Sequence, residues 1–231
     1  MRRQEPAPKK TAPKPSALKS VAGADGPARS RKEQKESTRE RVRLAALELF
    51  STVGFDETTT KAVAEKAGVA AGTVFVHARD KMDLLCLVMQ DLLRDATERG
   101  FASVRKDDDL LTQLLCIFRS VLEMYGDNPR LALPFVRGLP SAAGPNGEVV
   151  NALTFEFLGR LAALVTEAQA RGEIDPTVMP LLLAQNIFAL YFFTLYSWMS
   201  GYATIESALD PQLKMSLELQ IKGITVSDSR R

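Results

Sequence analysis

His77 is the only histidine in the chain, and that limits the chemistry its residues can perform. No nucleophile–base pair is recognisable by motif, since the chain contains no GxSxG, no HExxH and no phosphate loop. Cys86 and Cys116 are the only cysteines and neither sits in a CxxC pair. A zinc site of the usual kind therefore lacks ligands, and a disulfide framework is excluded. Asp107-Asp108-Asp109 reads as a charge cluster at a helix start. No catalytic residue, metal site or cofactor is expected, and the chain reads as a protein that is not an enzyme.

What the residues do offer is attraction to a polyanion. Residues 1–41 carry twelve Lys/Arg against five acids, a surplus of seven, while the remaining residues have 18 bases and 23 acids. A basic end on a mildly acidic body suggests a polyanionic partner at that end. Arg39, Arg41 and Arg43 stand where order should begin and are the best placed for phosphate or minor-groove contacts. Further along, Thr59, Thr60, Lys61, Thr73, His77 and Lys81 bring hydroxyl, imidazole and ammonium donors within a short span.

The elements that must position these groups are helices. Residues 1–30 hold five of the twelve prolines and few large apolar side chains, so the tail 1–31 is expected to be disordered. It lacks the apolar run of a secretory leader. Val42, Ala45, Ala46, Leu49, Phe50 and Val53 recur at helical spacing, and Gly54 ends that helix. Thr59 is placed to cap a short helix with Val63, Ala64 and Ala67, which Gly68 breaks. A second short helix opens at Val69 and runs to about His77, and Asp80 caps a longer one through Leu93. Further helices are expected at about 108–125, 129–138, 147–171, 177–203 and 211–223, with breaks at Gly/Pro/Asn clusters such as 143–147. No alternating strand pattern appears, so the fold class is all-α.

A short helix, a glycine turn and a second short helix make a helix-turn-helix pattern, with the second helix placed to enter a major groove. The residues make it specific: Leu44 to Phe55, then Thr58-Thr59-Thr60, Val63-Ala64-Glu65-Lys66-Ala67-Gly68-Val69, Gly72-Thr73-Val74-Phe75-Val76-His77 and Asp80-Lys81-Met82-Asp83-Leu84-Leu85. This stretch resembles the tetracycline-repressor (TetR) family of bacterial transcriptional regulators. The resemblance implies an N-terminal helix-turn-helix domain over 32–80, with the motif at 59–78, and a C-terminal helical effector-binding and dimerisation domain over 81–226. It also implies that the residues matching Thr73, Phe75, His77 and Lys81 sit against DNA. Phe75 stands where the family usually has a phosphate-binding tyrosine, and Ala70 and Ala71 stand where it often has polar residues. Ala70, Ala71, Gly72 and Val76 complete the expected DNA face, which is unusually apolar and can meet thymine methyl groups.

The resemblance further implies a homodimer built on 177–203 and 211–223, in which Leu182, Leu183, Leu190, Phe193, Leu213, Leu217 and Ile221 offer apolar surface. That explains the charge-free stretch 176–205 as a buried or interface helix rather than a membrane span. A small hydrophobic or aromatic ligand is expected among the aromatic-rich C-terminal helices, with Phe118, Phe135, Phe155, Phe188 and Phe192 as lining and Arg119, Gln185 and Asn186 as orienting polar groups. The expected function is a sequence-specific repressor of a palindromic operator in double-stranded DNA, released by that ligand, in the bacterial cytoplasm at the nucleoid. The alternative is a fold-retaining interaction or small-molecule-binding protein without sequence-specific DNA binding.

Overall fold

The structure, a computed structural model, describes residues 30–225. Most of the expected tail 1–31, and residue 226 of the expected C-terminal domain, lie outside the described residues. The described residues are helical throughout and contain no strand.

Helix α1 (Arg31–Thr52) starts at a capping box in which the Glu33 N–H donates to Ser30 Oγ at 3.2 Å and the Ser30 N–H donates to Glu33 Oε2 at 2.8 Å. Its buried stripe of Val42, Ala45, Ala46 and Phe50 packs on α2 (Thr60–Ala67) and α4 (Lys81–Ala102). Thr59 caps α2 through the Ala62 N–H at 3.1 Å. Gly68 then turns left-handed at φ 63°, its N–H reaching Glu65 O while the Val69 N–H reaches Ala64 O. These are the paired bonds of a Schellman ending, which glycine accepts without strain. The turn delivers the chain to α3 (Ala71–His77), two residues later than the expected start, and Val74 anchors α3 in the core. Asp80 caps α4 as its spacing implied, accepting from the Asp83 N–H at 2.8 Å.

Helix α4 runs on from this head into a body made of α5 (Leu110–Asp127), α6 (Pro129–Gly138), α7 (Pro145–Ala170) and α8 (Pro180–Met199). Proline at the first position starts α6, α7 and α8, where its missing N–H has no helical acceptor to lose. α4 and α7 lie side by side in the same direction, joined by Asp83 to Asn146 at their starts and by Glu98 to Arg160 at 2.6 Å further along. α7 and α8 are long and apolar enough to cross a membrane by length and composition. In this fold they pack on each other, and α7 also packs on α4. The helix expected at 211–223 is instead a succession. A turn α9 (Ile205–Ser207) leads through a wide turn at Ala208–Leu213 to α10 (Lys214–Lys222), and Asp210 has non-helical backbone angles within that wide turn.

The stretch expected to be a break at 143–147 is partly the first turn of α7, and its capping group comes from another helix. Gly144 stands at the cap position and has no side chain to offer. The buried carboxylate of Asp83 takes that role: Oδ1 accepts from the Asn146 N–H at 2.9 Å and the Gly147 N–H at 3.0 Å, and Oδ2 accepts from the Arg79 N–H at 2.8 Å. The Asn146 amide donates to the His77 carbonyl at 2.8 Å and to Asp83 Oδ2 at 3.2 Å. One carboxylate thus ties the end of α3, the start of α4 and the start of α7. Gly144 is required for two reasons, because its φ is 114° and a Cβ there would lie 2.8 Å from Asp83 Cγ. Asp83→Ala leaves two buried N–H groups, of Asn146 and Gly147, and the part-buried N–H of Arg79 without an acceptor, and the expected cost is about 3 kcal/mol of unfolding free energy. Denaturant unfolding measures it. Wild-type stability in Asp83→Ala would show that the amides find other acceptors.

Candidate nucleic-acid interface and ligand cavity

The outer surface of the head is formed by the N-terminal turns of α1, the start of α2 and the exposed side of α3. Ala70, Ala71, Gly72, Phe75 and Val76 are exposed on α3 and its cap, and Thr73 is half-buried. Phe75 and Val76 keep 55% and 64% of their surface in solvent, a large apolar exposure for so small a helix. Ala70 makes no side-chain cap bond. Thr60 is half-buried at the first turn of α2 and Thr59 is exposed, its Oγ1 held by the Ala62 N–H. Lys61 is exposed beside Glu65, 3.8 Å away.

Several of the expected DNA-facing cations are engaged inside the head. Arg43 is turned toward α4, donating to Glu40 at 2.6 and 2.7 Å and lying 3.2 Å from Asp91. The Glu40 hydrogen bond holds its guanidinium more firmly protonated, against the opposing effect of burial. Arg41 donates to the carbonyls of Ala67 and Gly68, clasping the end of α2. Arg39 lies 3.8 Å from Glu36. Lys81 donates to the Phe55 and Asp56 carbonyls at 2.9 and 3.0 Å and sits 4.6 Å from the Phe55 ring centre, so its charge pins the loop between α1 and α2.

His77 is buried, with 7% of its surface exposed, and its carbonyl belongs to the Asn146 contact. Burial lowers its pKa below 6.5, assisted by the positive charges of Lys35 and Arg39 and opposed by Glu36. The imidazole is therefore a neutral core group at the foot of α3. The burial of Cys86 on α4, with the Asp83 and Asp80 charges, pushes its thiol up to about 12, so it is unreactive. No cluster of metal-ligating side chains occurs among the described residues.

The second site lies in the body. A narrow cavity is lined by Leu93 and Thr97 of α4, Val121 and Tyr125 of α5, Phe135 of α6 and Leu139 just after it. Val150, Leu153, Thr154 and Phe157 of α7 and Phe188, Tyr191, Phe192 and Leu195 of α8 complete the lining. The cavity volume is about 70 Å³. The lining is apolar apart from two threonines and the phenols of Tyr125 and Tyr191, both kept neutral by burial. Past Thr97, Leu153 and Phe157 a smaller cavity is rimmed by Arg94, Glu98, Glu156 and Arg160.

Of the residues expected to meet a ligand, Phe135, Phe188 and Phe192 line this cavity. Phe118 lies behind it, stacked on Tyr191 with ring centres 4.8 Å apart. Phe155 is 74% exposed on the outside of α7, and Arg119, Gln185 and Asn186 face solvent. The two amides, expected to orient a ligand, stand on the exposed side of α8 and not in the cavity. Of the leucines and aromatics expected at a dimer contact, Leu183, Leu213 and Leu217 are buried within the subunit, and Leu190 and Ile221 are half-buried. Leu182 and Phe193 are exposed, as are Tyr196 of α8 and Met215 and Leu219 of α10. Tyr125, Asp83 and Asn146 were not singled out from sequence. Only the Asp80–Asp83 spacing and the helical phase of Val121 and Tyr125 hint at them.

A head that presents a short exposed helix after a glycine turn, on a helical body with an internal cavity, defines a helix-turn-helix regulator. Comparison with known proteins gives what it is similar to. Residues 43–86 match the family described as "Bacterial regulatory proteins, tetR family". The chain is 22% identical to the fatty acid metabolism regulator protein of Bacillus subtilis over 180 residues, 78% of this chain and 92% of that protein. It is 33% identical to the class C tetracycline repressor protein of Escherichia coli over 96 residues, 40% of this chain and 43% of that protein. FadR of Thermus thermophilus, a TetR-family repressor solved with lauroyl-CoA, superposes with a TM-score of 0.66 at 25% identity. That match covers 84% of this chain and 98% of the repressor. FadR of Bacillus subtilis, solved with stearoyl-CoA, shares the fold at 19% identity with a TM-score of 0.58, over 79% of this chain and 95% of its own. Over residues 43–86 and across the fold, the chain is similar to transcriptional regulators of the TetR family.

The depressed His77 pKa has a consequence for stability. The unfolded chain binds a proton near pH 6.5 that the folded head refuses. The His77 contribution to stability is therefore level above that pH and falls as the pH drops through 6.5 toward the lower folded value. Thermal unfolding at about pH 7.5 and about pH 5.5 reads the drop, which His77→Gln is expected to reduce because no other histidine titrates there. An equal drop in the variant would place the effect elsewhere.

Proposed function

We propose that this regulator is a dimeric repressor of a palindromic operator, released when a long-chain fatty acyl-CoA thioester occupies the body cavity. The observation that carries the reading is the position of α7. Its inner side lines the cavity with Val150, Leu153, Thr154 and Phe157, and one turn before Val150 stands Asn146, bonded to the end of α3. An acyl chain has the chemistry the lining favours, since its apolar surface gains by leaving water. The rim arginines Arg94 and Arg160 are the cations nearest the smaller cavity for the phosphates of a coenzyme A head. The lauroyl-CoA held by the Thermus thermophilus repressor supports the choice of ligand. With so narrow a cavity, an acyl chain must part side chains of α7 and α8 to enter. That gives the ligand a differential affinity for a moved arrangement of α7, the requirement for any shift of the head.

The DNA face is assigned to Thr59, Thr60, Lys61, Ala70, Ala71, Gly72, Thr73, Phe75 and Val76. The tail 1–31 and the exposed start of α1 add sequence-independent attraction to phosphates. The exposed apolar residues of α8 and α10 are assigned to the partner subunit, since large apolar side chains left in solvent are an aggregation hazard on a monomer. Half-sites are then about one helical turn apart. Action in the bacterial cytoplasm at the nucleoid follows from this reading.

The test uses the full chain, an operator recovered from genomic fragments, and lauroyl-CoA. Lauroyl-CoA is expected to release the operator from the wild type. Val150→Trp, which fills the cavity, is expected to hold the operator with near wild-type affinity and to lose the response. Release of the variant by lauroyl-CoA, or no effect of lauroyl-CoA on the wild type, would overturn the ligand assignment. A stable soluble monomer in sedimentation at micromolar concentration would overturn the dimer.

A further inference from the structure

The exposed side of α3 is unusual in what it lacks. From Val69 to Ala78 there is no Lys, Arg, Asn, Gln, Asp or Glu, the side chains that make bidentate or charged hydrogen bonds to base edges. The one imidazole in the stretch, His77, is buried, and the one hydroxyl, Thr73, is half-buried. What the helix offers outward is methyl and phenyl surface from Ala70, Ala71, Phe75 and Val76. Among the groups displayed in the major groove, the thymine C5-methyl is the apolar one with bulk, since cytosine offers only a C5–H at the same place.

Gly72 adds an independent observation. A Cβ built at this position meets no atom within 4 Å, so nothing in the folded subunit requires glycine there. Its φ is not in the left-handed region, and glycine inside a helix is less stable than alanine. A glycine that costs stability and relieves no internal clash fits a backbone that something outside the subunit approaches closely. Close approach is also what Ala71 and Val76 need, because their side chains are too short to reach the groove floor from a distance.

We infer that α3 recognises its operator through thymine methyl groups, with Val76 and Ala71 as specificity-determining residues and Gly72 setting the distance. The inference rests on the DNA-binding reading and deepens it by naming what the helix reads. Affinity then comes from phosphate contacts made by other parts of the head. Discrimination comes from apolar fit, in which a base without a methyl leaves a gap beside Val76.

The experiment selects sites from a random duplex DNA pool with the full-length protein, then replaces each thymine of the selected half-site by deoxyuridine, which differs only by the missing methyl. Thymine is expected at the positions facing α3, and each contacted methyl lost is expected to weaken binding by about fourfold, the factor that goes with burying one such group. Val76→Ala is expected to erase the thymine–uracil difference at one position of each half-site. Gly72→Ala is expected to melt at a higher temperature and bind the operator more weakly. Unchanged affinity for the uracil-substituted site, or selected half-sites with no thymine under α3, would overturn the inference and leave the regulator reading standing. Failure to select any duplex would overturn both.

Discussion

The carboxylate of Asp83 is the point on which the architecture depends. It is buried without a cationic partner in contact, and its charge is instead spread over the N–H groups of Arg79, Asn146 and Gly147. A buried charge is tolerated only when such donors converge on it. These three belong to the end of the head and the first turn of α7, so solvating the charge assembles the molecule. The same bonds satisfy amides that would otherwise be unpaired at the start of a helix with a glycine cap. Moving α7 away from α4 therefore breaks several bonds at once, which favours two discrete arrangements over a continuous slide.

That constraint explains how the charges in the head are used. Arg41, Arg43 and Lys81 look available for DNA in the sequence, yet each holds one internal joint: α1 to the end of α2, α1 to α4, and α4 to the loop after α1. A head of one long and two short helices has little core of its own, essentially Phe50, Val63, Val74 and their small neighbours. Charged hydrogen bonds to backbone carbonyls stiffen it where apolar area is scarce. The body has the opposite composition. Its aromatic rings run from Phe101 through Phe157 and Phe118 to Tyr191, Phe188 and Phe192, mostly edge-on or tilted, and the cavity opens where their packing against α4 and α7 is incomplete.

Much of the fold was legible because its punctuation is local. Asn128-Pro129 and Gly138 mark both ends of α6, and Thr59, Gly68 and Asp80 each act in the structure as their types imply. The reading weakened where one element serves another. Pro145-Asn146-Gly147 looks like a break because its capping carboxylate is 63 residues away in sequence. Gln185 and Asn186 were expected at the ligand because α8 is apolar on all sides, and a helix of that kind gives no phase from which to tell an inner side from an outer one. The same ambiguity mixed lining residues such as Phe188 with the exposed Phe155 of α7, whereas Tyr125 lay on the readable buried side of α5 and was passed over. Arg43 carried a signal in Glu40, one helical turn before it, that its place beside other arginines obscured.

Asn146→Ala tests the link between cavity and head most directly. It removes the amide that reaches the His77 carbonyl and keeps the backbone N–H bonds to Asp83. The measurement is the affinity of lauroyl-CoA with and without saturating operator, in wild type and in this variant, with helicity checked by circular dichroism. In the wild type, operator should weaken lauroyl-CoA binding by the same factor as lauroyl-CoA weakens operator binding. In Asn146→Ala, both ligands should still bind and that factor should fall toward one. A folded variant that keeps the full wild-type coupling would contradict the account.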